Sequence, residues 1–167
     1  MIANAIPTAE GAIQYAMQNS EITLHNSKCL VLGFGRCGKI LANKLLALGA
    51  KTYVEARSST DLSYISTYGY RPVPLSELAI YLHQFDFIFN TIPVQIITPE
   101  LIDLFNPEVV YIELASVPGG IDINYAHTKN ITYIPAPSLP GIVAPKTAAD
   151  ILYQCLLLTL RNQGAII

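Results

Sequence analysis

The chain is predicted to be an α/β protein built on one doubly wound parallel sheet, and three features of its sequence point that way. Short apolar runs alternate with stretches whose apolar residues recur at helical spacing. Gly and Pro fall at the joints between them. Gly33-Phe34-Gly35-Arg36-Cys37-Gly38 stands between the first such run and the helix that follows it. A G-x-G-x-x-G turn in that setting opens a Rossmann-type dinucleotide-binding unit. Residues 1–27 are expected to form a connecting helix with its lead-in, and residues 28–167 the single dinucleotide-binding domain.

The elements follow in order. Ala9, Ala12, Ile13, Ala16 and Met17 share one helical face, with Pro7 at its start and Thr8 placed to cap it. Residues 28–32 form a strand that runs into the glycine turn, and residues 40–48 carry a helix that Gly49 stops. Residues 51–56 and 71–74 read as strands with a helix over 61–68 between them, and Ser76 begins a helix through Leu82. Residues 85–91 are a strand, Thr98 caps a helix to Phe105, and residues 109–114 and 133–136 supply two more strands. Pro145 suits a first helical turn, and residues 146–160 continue as a long helix with an apolar face. Its most apolar part, residues 151–160, is about half the length needed to cross a bilayer and is expected to be buried.

Composition narrows the function. At 167 residues and 51% hydrophobic, the chain can core one domain but not two. Ten Lys and Arg against twelve Asp and Glu leave a net charge of -2, so nothing favours a nucleic-acid partner. The first twenty residues hold Glu10 but no Lys or Arg and lack the basic start of a secretory signal, so no export or membrane insertion is expected. Cys29, Cys37 and Cys155 are odd in number and lack C-x-x-C spacing, which argues for a reducing cytoplasm and against disulfides or structural zinc. His25, His83 and His127 are scattered, and no metal site is expected.

In the glycine turn, Gly33 permits the tight bend, Gly35 lets a pyrophosphate approach the backbone, and Gly38 lets helix pack on strand. Free N–H groups and the positive end of the helix then receive the phosphates. Cys37 sits inside this turn, where a small packing side chain explains it and no catalytic role is assigned.

Roughly 20 residues further on, an acidic side chain would bind the adenosine ribose of NAD. Here the second strand ends Val54-Glu55-Ala56-Arg57-Ser58-Ser59. With Ala56 aligned where the acid usually stands, Arg57 falls where a 2′-phosphate would lie, Ser58 and Ser59 add neutral donors, and NADP is favoured over NAD. In the competing arrangement Glu55 reaches the ribose and Arg57 is a solvated surface charge.

Ligands of such sheets lie beyond the carboxyl ends of the strands. The candidates there are Asn90, Thr91, Ile92 and Pro93, which could meet the cofactor or simply form a turn, and Ala115 and Ser116 after the next strand. Lys146 places a positive charge in the first turn of a helix, an unfavourable position that an anionic substrate group would relieve, unless the side chain simply extends into water.

These segments together resemble the family of dipicolinate synthase A subunits from spore-forming bacteria. The resemblance rests on Ile6-Pro7-Thr8-Ala9-Glu10-Gly11-Ala12, on Val31-Leu32 with the glycine turn, and on Asn90-Thr91-Ile92-Pro93. It rests above all on Leu114-Ala115-Ser116-Val117-Pro118-Gly119-Gly120 and Leu139-Pro140-Gly141-Ile142-Val143-Ala144-Pro145-Lys146-Thr147-Ala148. The resemblance implies an NADP-dependent oxidoreductase of sporulation, oxidising dihydrodipicolinate, a small dicarboxylate, to dipicolinate together with a flavoprotein-like B subunit. Lys146 then becomes the candidate for a substrate carboxylate, while the catalytic base stays unassigned. Family members look like two-domain proteins of roughly twice this length, with a substrate-side domain ahead of the segment equivalent to Ile6. The isolated chain could therefore bind nucleotide without turning over.

The alternatives are a noncatalytic nucleotide-binding regulatory domain or a truncated homologue, since fold alone does not set function. An adenosylmethionine-dependent methyltransferase fits the three-glycine turn and Arg57 less well. A homo-oligomer is compatible with the sequence.

Overall fold

The computed structural model describes residues 2–163. The strands are β1 (Lys28–Leu32), β2 (Lys51–Ala56), β3 (Arg71–Pro74), β4 (Phe87–Asn90), β5 (Val110–Glu113) and β6 (Thr132–Pro135). All pair in parallel, in the order β3-β2-β1-β4-β5-β6. The chain thus builds outward on one side from β1 to β3, then returns to the centre and builds outward on the other. β1 and β4 are neighbours across that reversal, where their carboxyl ends leave a crevice.

Helices cover both faces. The first three are α1 (Ala5–Gln18), α2 (Arg36–Ala47) and α3 (Ser59–Thr67). The rest are α4 (Leu78–Tyr81), α5 (Pro99–Ile102), α6 (Ile123–Thr128), α7 (Leu139–Val143) and α8 (Pro145–Asn162). Alternate strand residues divide into two cores. Val31, Val54, Phe89 and Ile112 pack with Ala12, Leu41, Leu45, Ile65 and Leu139 of the α1, α2, α3 and α7 layer. Leu30, Tyr53, Ile88 and Tyr111 pack with Leu78, Ile102 and Ala126 of the α4, α5 and α6 layer. Burial on both faces explains why the strands read as continuous apolar runs.

Several expectations are corrected. α1 begins at Ala5, so Thr8 lies within its first turns and donates Oγ1–H to the Asn4 carbonyl (2.8 Å) instead of capping. The segment from Ser76 to Leu82 is only a four-residue α-helix between two 3-10 turns. Thr98 holds the N-cap position of α5, but its side chain makes no capping hydrogen bond and the helix ends at Ile102. α6 and α7 have no counterpart among the expected elements: each is a single short turn or two, too brief for periodicity to show.

The largest correction concerns α8, expected to be buried. Only Ala148 of this helix is buried, and Leu152, Tyr153, Leu156 and Leu158 are exposed. Its apolar stripe is real, but within this chain the helix meets chiefly α7. No helix among the described residues is long and apolar enough to cross a membrane.

Candidate dinucleotide site

The glycine turn is built as its spacing requires. Gly33 has φ +93°, a left-handed conformation, and a Cβ there would also press on Thr91 Oγ1 (2.8 Å) and Ile92 Cγ1 (2.9 Å). The constraint comes from the far side of the crevice, where Thr91 donates Oγ1–H to the Leu32 carbonyl (2.8 Å) and closes the loop after β4 over the turn. At Gly38 a Cβ would overlap the Gly33 carbonyl oxygen, so only glycine lets α2 approach β1. Gly35 differs: a Cβ there meets nothing within 4 Å. Nothing inside the protein demands a glycine at 35, which leaves the approach of an external group as its physical reason. It is also the N-cap of α2, so the free N–H groups of the first turn face the same space.

Two cavities adjoin there. One, of about 450 Å³, is lined by Gly33 to Gly35, Glu55 to Ser58, and Thr91 to Pro93. The other, of about 480 Å³, is lined by Gly35 to Cys37, Thr91 and Pro93, and by Asn4, Ala5 and Thr8 of the α1 end. A third, apolar cavity of about 370 Å³ lies between Ala115 to Gly119 and Tyr133 to Pro137, with Glu113 and Ile123 in its wall. All three open at the carboxyl edge of the sheet. The structure thus brings together the glycine turn, Arg57, Ser58, Thr91, Ile92 and Pro93, and sets Ala115 and Ser116 at the third cavity. Ser59, Asn90 and Lys146 line none of the three. Ser59 opens α3, Asn90 is fully buried beneath the crevice, and Lys146 is exposed on the first turn of α8.

Arg57 is exposed at the mouth of the first of these cavities. Ser58 caps α3, its Oγ accepting from Asp61 N–H (3.1 Å), so its hydroxyl hydrogen remains free to donate. At the end of β2 it is the Glu55 side chain that faces the glycine turn, while Ala56 turns into the core of the α2 and α3 layer. Glu55 is 1% exposed, its Oε2 accepts from Gly33 N–H (3.2 Å), and its Oε1 is buried without a partner. Burial raises its pKa, opposed by the Gly33 N–H and by the charge of Arg57. Burial likewise pushes the Cys37 thiol up to about 11, which fits an inert packing role.

One register row collects the polar residues that strand logic alone would have buried as apolar. Leu32 pairs with Glu55 on one side and Asn90 on the other, and Asn90 pairs with Glu113. Each of the three polar side chains receives hydrogen bonds from the loops beside it: Glu55 from Gly33, Asn90 from Ile92 N–H (3.1 Å), and Glu113 from Ala115 N–H (3.0 Å) and Gly120 N–H (2.9 Å). Glu113 is not among the residues singled out from sequence. Its available signal is a carboxylate ending the apolar strand Val110–Glu113, just before a Gly-rich loop.

Fold, turn and crevice define a dinucleotide-binding domain of the dehydrogenase type. The chain belongs to the family described as D-isomer specific 2-hydroxyacid dehydrogenase, NAD binding domain, whose model matches residues 6–115. The more particular resemblance read from the sequence is borne out. The chain is 44% identical to the A subunit of dipicolinate synthase from Bacillus subtilis (strain 168) over 151 residues, covering 90% of this chain and 51% of that protein. Among solved structures it superposes on the dipicolinate synthase A chain from Bacillus subtilis with a TM-score of 0.96 at 42% identity, covering 98% of this chain and 55% of that one. The structure of the corresponding A subunit from Bacillus halodurans gives 0.93 at 43% identity, covering 95% and 55%. The chain therefore spans about half the length of these relatives.

Proposed function

We propose that this chain is the NADP-binding half of an oxidoreductase like the dipicolinate synthase A subunit, residues 28–167 gripping the coenzyme and residues 1–27 joining it to a substrate-side half. The carrying observation is Gly35, which no neighbour inside the protein requires, at the mouth of a crevice lined by Arg57. When bound, NADP supplies a hydride acceptor. The chain's own residues bind and orient it. With the Gly33 N–H taken by Glu55, the N–H groups of Phe34 to Gly38 at the turn and the start of α2 hold the pyrophosphate, with Phe34, Arg36 and Cys37 as the backbone between the glycines. The orphaned Oε1 of Glu55 accepts a hydroxyl of the adenosine ribose, and Arg57, with Ser58 and Ser59 at the start of α3, meets the 2′-phosphate. Thr91, Ile92 and Pro93 cover the crevice, with Asn90 holding that loop from below, while Ala115 and Ser116 border the apolar cavity for the nicotinamide ring. Lys146, without an ion pair among the described residues, offers its charge to a carboxylate of the dicarboxylate substrate. The resemblance extends the assignment to oxidation of dihydrodipicolinate in the cytoplasm of a sporulating cell, in partnership with a B-like subunit.

A second reading is favoured by Glu55 itself: its free oxygen suits both ribose hydroxyls of NAD, with Arg57 left in solvent. Titration of wild type and Arg57→Asp with NADP and NAD separates the two. Loss of the charged partner should weaken NADP binding about ten- to a hundredfold and NAD binding by less than about threefold. Equal losses for both coenzymes exclude the phosphate role, and a wild type that binds neither overturns the nucleotide assignment.

A further inference from the structure

Resting on that dinucleotide reading, we propose that Glu113 is the positioning residue of the nicotinamide end, clasping the loops after β4 and β5 into one rigid wall beside the ring. Its carboxylate is 5% exposed, and three donors converge on it: Asn90 Nδ2–H (2.7 Å) and Ala115 N–H (3.0 Å) on Oε1, and Gly120 N–H (2.9 Å) on Oε2. The Asn90 amide, fully buried, continues the chain by donating to the Ile92 carbonyl (2.9 Å) and accepting from Ile92 N–H (3.1 Å). The Gly120 carbonyl closes the circuit, accepting from Ile96 N–H (3.1 Å) and Ile97 N–H (2.9 Å). Two loops that could move separately are thus tied at both ends through one side chain.

The chemistry at position 113 is specific. Burying a carboxylate costs several kcal/mol unless donors surround it, so an acid kept here needs a structural return. An acceptor-only group is what three converging N–H donors demand; an amide would aim its own NH₂ at one of them. The neighbouring glycines complete the fit. Gly119 has φ +82° and a Cβ there would lie 3.0 Å from Glu113 Oε2, while a Cβ at Gly120 would strike the Asn90 amide. The clasp sits under the apolar cavity bordered by Ala115, Ser116 and Tyr133, which Arg57 does not line; only through Asn90 and Ile92 does it reach the wall of the Arg57 cavity. It should therefore govern the nicotinamide end of the coenzyme more strongly than the other.

The test is calorimetric titration of wild type, Glu113→Gln and Gly119→Ala with NADPH and with 2′-phospho-ADP-ribose, which lacks the nicotinamide. Glu113→Gln should weaken NADPH at least about tenfold and the fragment several-fold less, because the nicotinamide end loses most of its wall while the Arg57 cavity is touched only through Ile92. Gly119→Ala strains the loop backbone and presses on the Glu113 carboxylate without removing it, and should shift the same ratio in the same direction, which covers the case in which Glu113→Gln does not fold. Equal losses for both ligands, or no loss for NADPH in a folded variant, overturn the positioning role. A wild type that binds neither these ligands nor their counterparts without the 2′-phosphate, NADH and ADP-ribose, overturns the dinucleotide reading and this inference with it.

Discussion

Gly35 and Gly38 lie three residues apart in one turn, yet adding a single methyl group to each should have opposite consequences. At Gly38 the new Cβ overlaps the Gly33 carbonyl oxygen, backbone against backbone, so α2 must back away from β1. Overpacking of this kind costs about 1–3 kcal/mol, and the upper end is expected where neither atom can rotate aside. At Gly35 the backbone has φ -79° and ψ -163°, which any residue adopts, and the Cβ meets nothing within 4 Å. Alanine there reduces the freedom of the unfolded chain, a gain of about 0.4–1 kcal/mol, and loses a slightly better N-cap, a cost of similar size. The net change in unliganded stability is about zero. Its methyl, however, occupies the space assigned to the pyrophosphate, and loss of one charge-assisted hydrogen bond is about 1.5–3 kcal/mol, or roughly ten- to a hundredfold in affinity.

Thermal unfolding with and without NADP reads both effects at once. Ligand at a hundred times its dissociation constant adds about 2.7 kcal/mol to wild type. A variant weakened about thirtyfold should gain only about 0.9 kcal/mol under the same conditions. Gly35→Ala should therefore match wild type without ligand and separate from it with ligand, whereas Gly38→Ala should melt early in both. If Gly35→Ala keeps the full ligand shift, or melts as early as Gly38→Ala, the division of labour between the two glycines is wrong.

Two further outcomes follow from buried polar atoms. The Tyr111 hydroxyl is fully buried and has no hydrogen-bond partner, so Tyr111→Phe, which keeps the stacking on Phe105 and Tyr133, should raise stability in urea unfolding by up to about 1 kcal/mol; a loss of that size would mean the hydroxyl is satisfied. Burial raises the Glu55 pKa above its ordinary 4.5, so the folded state binds a proton that the unfolded state releases. Its contribution is fully present below about 4.5 and is lost as pH rises through the folded-state value. Glu55→Gln removes that titration, so its stability relative to wild type should climb with pH above 4.5 and then level off; a flat or falling difference across urea titrations refutes the shift.

Much of this molecule was legible residue by residue. Lys28–Leu32 and Lys51–Ala56 are apolar runs bounded by turn residues, and the structure places both strands within those bounds. The spacing of Gly33, Gly35 and Gly38 carried the turn because each glycine answers a local need: a left-handed bend, an open approach, a close helix contact. The exposure of α8 was not legible, since periodicity shows that a helix has an apolar face and says nothing of whether this chain supplies the surface to cover it.

What the amino-acid order determined by itself was the alternation of elements and the glycine turn, because both depend on side-chain period and backbone freedom over a few neighbouring residues. Only the folded sheet decided that Glu55, not Ala56, faces that turn, and that Glu113 and Asn90 share a clasp. Glu55 lies 22 residues from Gly33 and Asn90 lies 23 from Glu113, and parallel register alone brings them to one row. A polar residue closing an apolar strand is ambiguous until its neighbours across the sheet are known, because the cost of burying it is offset only by donors that the distant chain delivers.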